Sequence, residues 1–186
     1  MNDIKEKMMQ IGRMAKEATE DMRKLSAADR SRVLMNISAF IKINEKKILE
    51  ANQKDIDEAK IKNLSTPLIN RLILDQKKVN ALVSTVESIA QMQDPLGQIL
   101  DEWSQPNGLS FKKITVPLGV IGIIYESRPN VTVDAAALCL RSGNIPILRG
   151  GKECIHSNTA LYNCCLLYTS DAADDSLRVD LGGRRI

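Results

Sequence analysis

Apolar residues recur three or four positions apart through the opening of the chain: Ile4, Met8, Ile11, Ala15, Ala18, Met22 and Leu25. That spacing is the stripe of an amphipathic helix. Its methionines read as packing contacts rather than as a partner surface. "SAAD" at 26–29 is an imperfect capping box, with Asp where Glu is usual, and it opens a second helix through Val33, Leu34, Ile37, Phe40 and Ile41. "NEKKILEANQKDIDEAK" continues helically, with Ile48, Leu49, Asn52, Ile56 and Ala59 on one side. "STP" at 65–67 sets a cap before proline at the first helical position. Asp75 caps a further helix that buries Val79, Leu82, Val83, Val86 and Ile89, and "DP" at 94–95 ends it.

The period then changes. "GQILDEW" and "LSFKKITV" flank the turn-rich "SQPNG", which predicts a β-hairpin with polar residues on one wet face. A long, partly polar hairpin at a domain edge is also a common way to pair with another chain. A βαβ unit follows: strand "VIGIIYE", helix "TVDAAALCLRS" with Thr132 as a plausible N-cap, a stop at "GN" 143–144, and strand "IPILRG". Neither strand alternates, as expected of parallel strands covered on two faces. Another helix is expected to begin near Glu153.

Two strands do not make a stable open sheet, and no third parallel strand follows. From Cys165 the text becomes "CLLYTSDAADDSLRVDLGGRRI", with neither a strong strand nor a useful amphipathic helix. These patterns predict a chain truncated within a domain. The expected division is a helical segment at 1–95, a hairpin at 96–117, the start of a nucleotide-binding βαβ domain at 118–164, and an unrelated, disordered tail at 165–186.

Composition narrows the possibilities. In 186 residues, 44% apolar content suffices for a core, and 26 basic against 23 acidic residues leave +3. Lysine pairs such as Lys46-Lys47, Lys77-Lys78 and Lys112-Lys113 sit among acids, as on solvated faces rather than a nucleic-acid stripe. Aromatic content of 3% supplies no stacking platform for single strands. No apolar run reaches the roughly 18–20 residues of a membrane span, and the N-terminus carries charge throughout instead of an apolar signal core. A cytoplasmic protein is expected. Cys139, Cys154, Cys164 and Cys165 have neither CxxC nor zinc spacing, so free thiols and no metal are expected.

The candidate chemistry gathers where the strands end. "GVIGIIYESRPN" runs from buried-strand character into Glu126, Ser127, Arg128, Pro129 and Asn130. In doubly wound sheets, ligands collect beyond the carboxyl ends of the strands. Arg149, Gly150, Gly151 and Lys152 lie beyond the next such end. Pro129 fixes the backbone, so Asn130 is held in place; its amide either donates to a carbonyl oxygen gaining charge or caps the helix. Arg149 and Lys152 over two glycines suit a phosphate, or form a surface pair. Gly119 and Gly122 give GxxG, not a dinucleotide fingerprint, and "RGGKE" is not a P-loop. His156 reads as a surface helix residue, Cys139 as an inert core thiol, and Cys154 as a thiol without an activating base.

"VPLGVIGIIYESRPNVTVDAAALCLRSGN", with "ILRGGKE", "ANQKDIDEAK", "LSTPLINRLIL" and "QDPLGQIL", resembles the γ-glutamyl phosphate reductases over residues 1 to about 163. These enzymes share the aldehyde dehydrogenase fold. The resemblance implies an α/β, aldehyde-dehydrogenase-like chain comprising N-terminal helices, an edge hairpin and the first βαβ of a truncated Rossmann-like domain. It implies NADPH-dependent reduction of L-glutamyl 5-phosphate to glutamate 5-semialdehyde plus phosphate, in proline biosynthesis. By position, Asn130 matches the oxyanion amide, and Arg149 and Lys152 the contacts to the cofactor's ribose and extra phosphate, with Gly150 and Gly151 between. Glu126, Ser127 and Arg128 form the substrate-side cluster. The hairpin resembles oligomerisation strands, implying a homo-oligomer for the complete enzyme. The family's catalytic cysteine has no match among the four here, so the chain alone is expected to be inactive. Two alternatives stay open: a non-catalytic nucleotide-binding or assembly module, and a related acyl-phosphate or aldehyde reductase.

Overall fold

The computed structural model describes residues 2–171, with side chains described for 3–165. Helices α1 (Asn2–Lys24), α2 (Ala27–Ile43), α3 (Glu45–Ile61), α4 (Thr66–Leu72) and α5 (Gln76–Gln91) follow one another as the stripes predict. The capping box of α2 is complete: Asp29 N–H donates to Ser26 Oγ, and Ser26 N–H donates to Asp29 Oδ2, each at 3.1 Å. The shorter carboxylate therefore reaches as Glu would. Asp75 accepts from Lys78 N–H at 2.8 Å and starts α5. In α4 the cap falls at Ser65, one residue before the expected Thr66, so Pro67 is the second helical residue.

A strand pair, β1 (Ile99–Ser104) with β2 (Ser110–Ile114), and a second pair, β3 (Val120–Ile124) with β4 (Ile145–Arg149), complete the pattern. Helix α6 (Asn130–Arg141) links β3 to β4, and α7 (Ile155–Asp171) follows a 3-10 turn at Lys152–Cys154. β3 and β4 are parallel, in register from Val120 opposite Ile145 to Ile124 opposite Arg149. The expected βαβ unit is thus present. Helix α7 runs across position 165, and residues 172–186 of the expected tail lie outside the described residues.

The main core joins α1, α2, α3, α5, α6, β4 and α7, and a small second cluster of Ala59, Leu72 and Cys154 joins α3 and α4 to the 3-10 turn. Met22, Leu34, Ile37, Ile41, Ile48, Val79, Val86, Val133, Ile145 and Leu161 are fully or almost fully buried within the main core. Burial of each large aliphatic is worth about 1.5–3 kcal/mol. Helix α2 packs on α5 and α7, α3 on α7, and α5 on α6. Long-range polar contacts fix the same elements. Arg30 bonds Asp94 at 2.6 Å and the Leu25 carbonyl at 2.7 Å. Arg141, also buried, donates to the carbonyls of Ala27 and Met92 and to Ser31 Oγ.

Three local expectations change. The hairpin has no sheltered face: all residues of β1 and β2 are exposed, including Ile99, Leu100, Trp103 and Phe111. Its apolar residues meet each other instead, with the Trp103 and Phe111 rings stacked at 5.4 Å. Nor is β3 covered on two faces. Among the described residues its one hydrogen-bonded neighbour is β4, and Ile124 stays 86% exposed. Finally, α6 starts at Asn130 rather than after Thr132. Pro129 is its N-cap, already at φ −57° and ψ −34°, so the helix extends back to the proline.

Candidate functional site

The two polar strand ends meet. Beyond β3, Tyr125 N–H donates to the Arg149 carbonyl at 3.1 Å, continuing the parallel ladder one step past the strands. The chain then tightens: Arg128 N–H donates to the Glu126 carbonyl at 2.6 Å, and Val131 N–H to the Arg128 carbonyl at 3.1 Å. Ser127 is buried in this turn, while Glu126 and Arg128 are exposed.

On the β4 side, Gly150 and Gly151 permit close approach from within the chain. A Cβ on Gly150 would lie 2.3 Å from Asn158 Nδ2 and 3.0 Å from the Tyr125 hydroxyl. A Cβ on Gly151 would meet Glu153 Oε2 at 2.6 Å and the Glu126–Ser127 backbone at 3.6 Å. Around Gly150 runs a chain of hydrogen bonds. Thr132 Oγ1 donates to Asn158 Oδ1 at 3.0 Å, so the 2.6 Å contact between Tyr125 and Thr132 has the tyrosine as donor. Asn158 Nδ2 then donates to Cys154 Sγ at 3.3 Å. Burial raises the Tyr125 pKa, which keeps that donor protonated.

Asn130 is half-buried, and its amide donates to Asp134 Oδ2 at 2.8 Å, one helical turn on. It therefore stands as the first helical residue, not as the cap. An asparagine amide has a second N–H, so one donor remains available. Burial pushes the Asp134 carboxyl above its ordinary range, and the Asn130 bond offsets part of that rise.

Two adjoining clefts open on this turn. The first, of about 420 Å³, is lined by Asn70, Arg71, Lys78, Arg128, Asn130 and Asp134, among others. The second, of about 280 Å³, is lined by Arg71, Tyr125, Glu126, Ser127, Arg128 and Val131. The expected cluster at 126–130 is thus brought together on a concave surface. Arg149 and Lys152 line neither cleft and stand exposed at the β4 end. The Arg149 guanidinium donates to the Gly150 carbonyl, and Lys152 has no ion pair or side-chain hydrogen bond among the described residues.

Sequence reasoning missed Arg71, Asn70 and Lys78. They come from α4 and α5, and only the tertiary fold carries them to the start of α6. The means is Asn52, fully buried on α3: its amide donates to the Leu72 carbonyl and accepts from Leu74 N–H, each at 2.8 Å.

The thiols are silent. Cys139, Cys154, Cys164 and Cys165 are all buried and unpaired. Burial raises every one, to about 11 for Cys154 and Cys164 and about 12 for Cys165. His156 serves α3, not the clefts: its Nε2 lies 3.0 Å from Glu58 Oε1. Among the described residues no three His, Cys, Asp or Glu side chains form a metal-sized cluster. No helix there is long and apolar enough to cross a membrane.

No protein-family model matches the chain. It is a relative of proteins named γ-glutamyl phosphate reductase. It is 47% identical to that of Ruthia magnifica subsp. Calyptogena magnifica, over 88% of this chain and 39% of the relative. The solved γ-glutamyl phosphate reductase of Thermotoga maritima superposes with TM-score 0.85 at 32% identity, over 89% of this chain and 40% of that one. A putative aldehyde dehydrogenase from Bacillus subtilis gives TM-score 0.68 at 17% identity, over 86% of this chain and 33% of that one. The fold is therefore aldehyde-dehydrogenase-like. The chain spans about two fifths of the curated relatives it matches.

Proposed function

We propose that this relative of the γ-glutamyl phosphate reductases is part of an enzyme that reduces L-glutamyl 5-phosphate to glutamate 5-semialdehyde and phosphate, in proline biosynthesis. The observation that carries the reading is the junction of the two strand ends. It sets Asn130 on a cleft with Arg71, Lys78 and Arg128, and leaves Arg149 and Lys152 exposed beside it. Cations outnumber the acid in the first cleft, which suits a substrate that carries a carboxylate as well as an acyl phosphate.

Each residue's part follows from its position. The remaining Asn130 N–H donates to the acyl oxygen as charge gathers on it; in comparable enzymes such a donor is worth about 2.7–4 kcal/mol. Arg149 holds the ribose of NADPH, and Lys152 holds its extra phosphate. Their fit is in charge and exposure, since the space over Gly150 and Gly151 is filled by Asn158, Tyr125 and Glu153. NADPH supplies the hydride in this reaction. No thiol of this chain attacks the acyl group, because all four are buried and held protonated. The 186-residue chain by itself is therefore inactive. The exposed hairpin, with Trp103 and Phe111, is the surface by which the whole enzyme pairs with further copies.

The test is a chimera in which residues 1–163 replace the matching segment of one of the curated relatives. NADPH-dependent reduction of glutamyl phosphate is expected, with a loss of about 10²–10³ in kcat for Asn130→Ala. A folded chimera without activity refutes the reading. Phosphate-dependent NADPH formation from glutamate semialdehyde by the isolated chain would refute its inactivity alone, because that reaction requires a nucleophile among the buried thiols.

A further inference from the structure

We infer that the second cleft holds the amino-acid end of the substrate, with Arg71 and Arg128 on its α-carboxylate and Glu126 on its α-ammonium. This rests on the reductase reading, because Asn130 then fixes where the acyl group lies. Asn130 lines the first cleft and not the second. The acyl carbon of a glutamyl group is separated from the α-carbon by two methylenes, so the charged end falls in the neighbouring space.

That space has the complementary chemistry. Its charged side chains are Arg71, Arg128 and Glu126: two cations and one anion, the counterparts of a carboxylate and an ammonium. Neither arginine has an ion pair or a side-chain hydrogen bond among the described residues, and the Glu126 carboxylate has none either. Three exposed charges lining one cleft without partners leave their full bonding capacity for a ligand. A planar guanidinium engages a carboxylate through two parallel hydrogen bonds, which a lysine cannot reproduce.

The two arginines come from different parts of the chain. Arg128 is held by the turn before Pro129. Arg71 is the penultimate residue of α4, next to Leu72, whose carbonyl Asn52 grips. The Arg71 backbone is thus anchored while its side chain stays exposed. Both arginines also line the first cleft, which places them at the boundary between the acyl-phosphate end and the amino-acid end.

The experiment is titration of the isotope-labelled 186-residue chain, read by NMR at the arginine side-chain N–H groups. The probes are L-glutamine, L-glutamate, glutarate and inorganic phosphate. L-glutamate and L-glutamine are expected to shift Arg71 and Arg128 saturably. Glutarate, lacking the ammonium, and phosphate bind at least about tenfold more weakly. Arg71→Gln weakens amino-acid binding at least about tenfold, Arg71→Lys recovers only part of it, and Glu126→Gln erases the preference for L-glutamate over glutarate. Arg71 has no structural partner, so these variants keep the wild-type fold by circular dichroism. Absence of saturable shifts with both amino acids overturns the assignment, as does tighter binding of phosphate than of L-glutamate at Arg71. An active chimera with no amino-acid response at Arg71 leaves the reductase reading standing without this subsite. An inactive, folded chimera removes the reading itself, and the subsite with it.

Discussion

Replacement of Gly150 by alanine tests how tightly the two strand ends are joined. The added methyl carbon would sit 2.3 Å from Asn158 Nδ2 and 3.0 Å from the Tyr125 ring and hydroxyl. The ring is half-buried and the amide is bonded on both sides, to Thr132 at 3.0 Å and Cys154 at 3.3 Å. Overpacking of this kind costs about 1–3 kcal/mol. Displacing Asn158 breaks its bonds as well, and a partly buried polar group left unmatched costs about 1–3 kcal/mol. Some relaxation is shared between the two, so the expected loss is about 2–4 kcal/mol. Urea unfolding followed by far-ultraviolet circular dichroism measures it, from the shift in midpoint at constant slope. Two alanine substitutions calibrate the result. At Gly122 a Cβ meets nothing within 4 Å, so Gly122→Ala should stay within about 0.5 kcal/mol of wild type. At Gly151 the nearest atom is the mobile end of Glu153, so Gly151→Ala should cost less than about 1 kcal/mol. Adding Asn158→Ala to Gly150→Ala should recover at least about half of the loss, since the clash is with that amide. If Gly150→Ala is as stable as Gly122→Ala, the strand ends are not in the contact described and the site's geometry fails.

Asp55 is buried on α3, and its carboxylate accepts from His156 N–H at 3.0 Å, Ser157 N–H at 2.7 Å and Ser157 Oγ at 2.5 Å. Asp55→Ala strands these donors at the α7 start and should cost about 2–4 kcal/mol in urea unfolding, against about half that for Asp55→Asn; equality with wild type refutes the capping role. The thiols carry a pH dependence. With folded pKa values raised to about 11 for Cys154 and Cys164 and about 12 for Cys165, folding opposes ionisation. Below the ordinary thiol pKa near 8.5 both states are protonated and the thiols favour folding fully. Stability is then lost as pH rises through 8.5 toward 11, while the unfolded chain ionises and the folded one does not. At pH 8 a pKa of about 11 leaves roughly one thiolate in a thousand, so native Cys154 and Cys164 should alkylate far more slowly than in urea; equal rates would refute their burial.

Most of the fold was legible because its helices are local. The stripe at Val79, Leu82, Val83, Val86 and Ile89 predicts α5, and all five are buried. "SAAD" and Asp75 mark helix starts because capping is a short-range contract between residues three apart. The hairpin and the βαβ unit follow from turn residues and from the loss of alternation. What the text could not show was long-range. The same apolar density that reads as a strand covered on two faces leaves Ile124 86% exposed, because cover depends on elements the pattern does not contain. Glu126 to Asn130 were visible as a polar break after an apolar run. Arg71 was not, because an arginine on a short amphipathic helix has nothing in its neighbourhood to set it apart. Asp55 was also missed: it reads as one more surface acid, and its partners His156 and Ser157 lie about a hundred positions away.

A parallel sheet of two strands is too small to hold a site in place, so something else must position these residues. Three buried polar side chains do so. Asn144 accepts from Gly119 N–H at 2.8 Å and fixes where β3 begins. Asn52 grips both sides of the α4–α5 connection and sets Arg71 against the cleft. Asp55 caps α7 from α3, and through that helix it places Asn158 under Gly150 and anchors the turn that carries Lys152. Asn52 and Asp55 tie the α4–α5 connection and the start of α7 to α3, Asn144 ties the connection after α6 to the start of β3, and all three brackets satisfy backbone N–H groups. A fully satisfied polar contact in a buried place specifies one arrangement, because any shift leaves a donor or acceptor unmatched. The clefts therefore owe their geometry to the helical core and its brackets. The strands contribute direction: they end together, and their tips bring Glu126, Arg128 and Asn130 to side chains that α4 and α5 already hold.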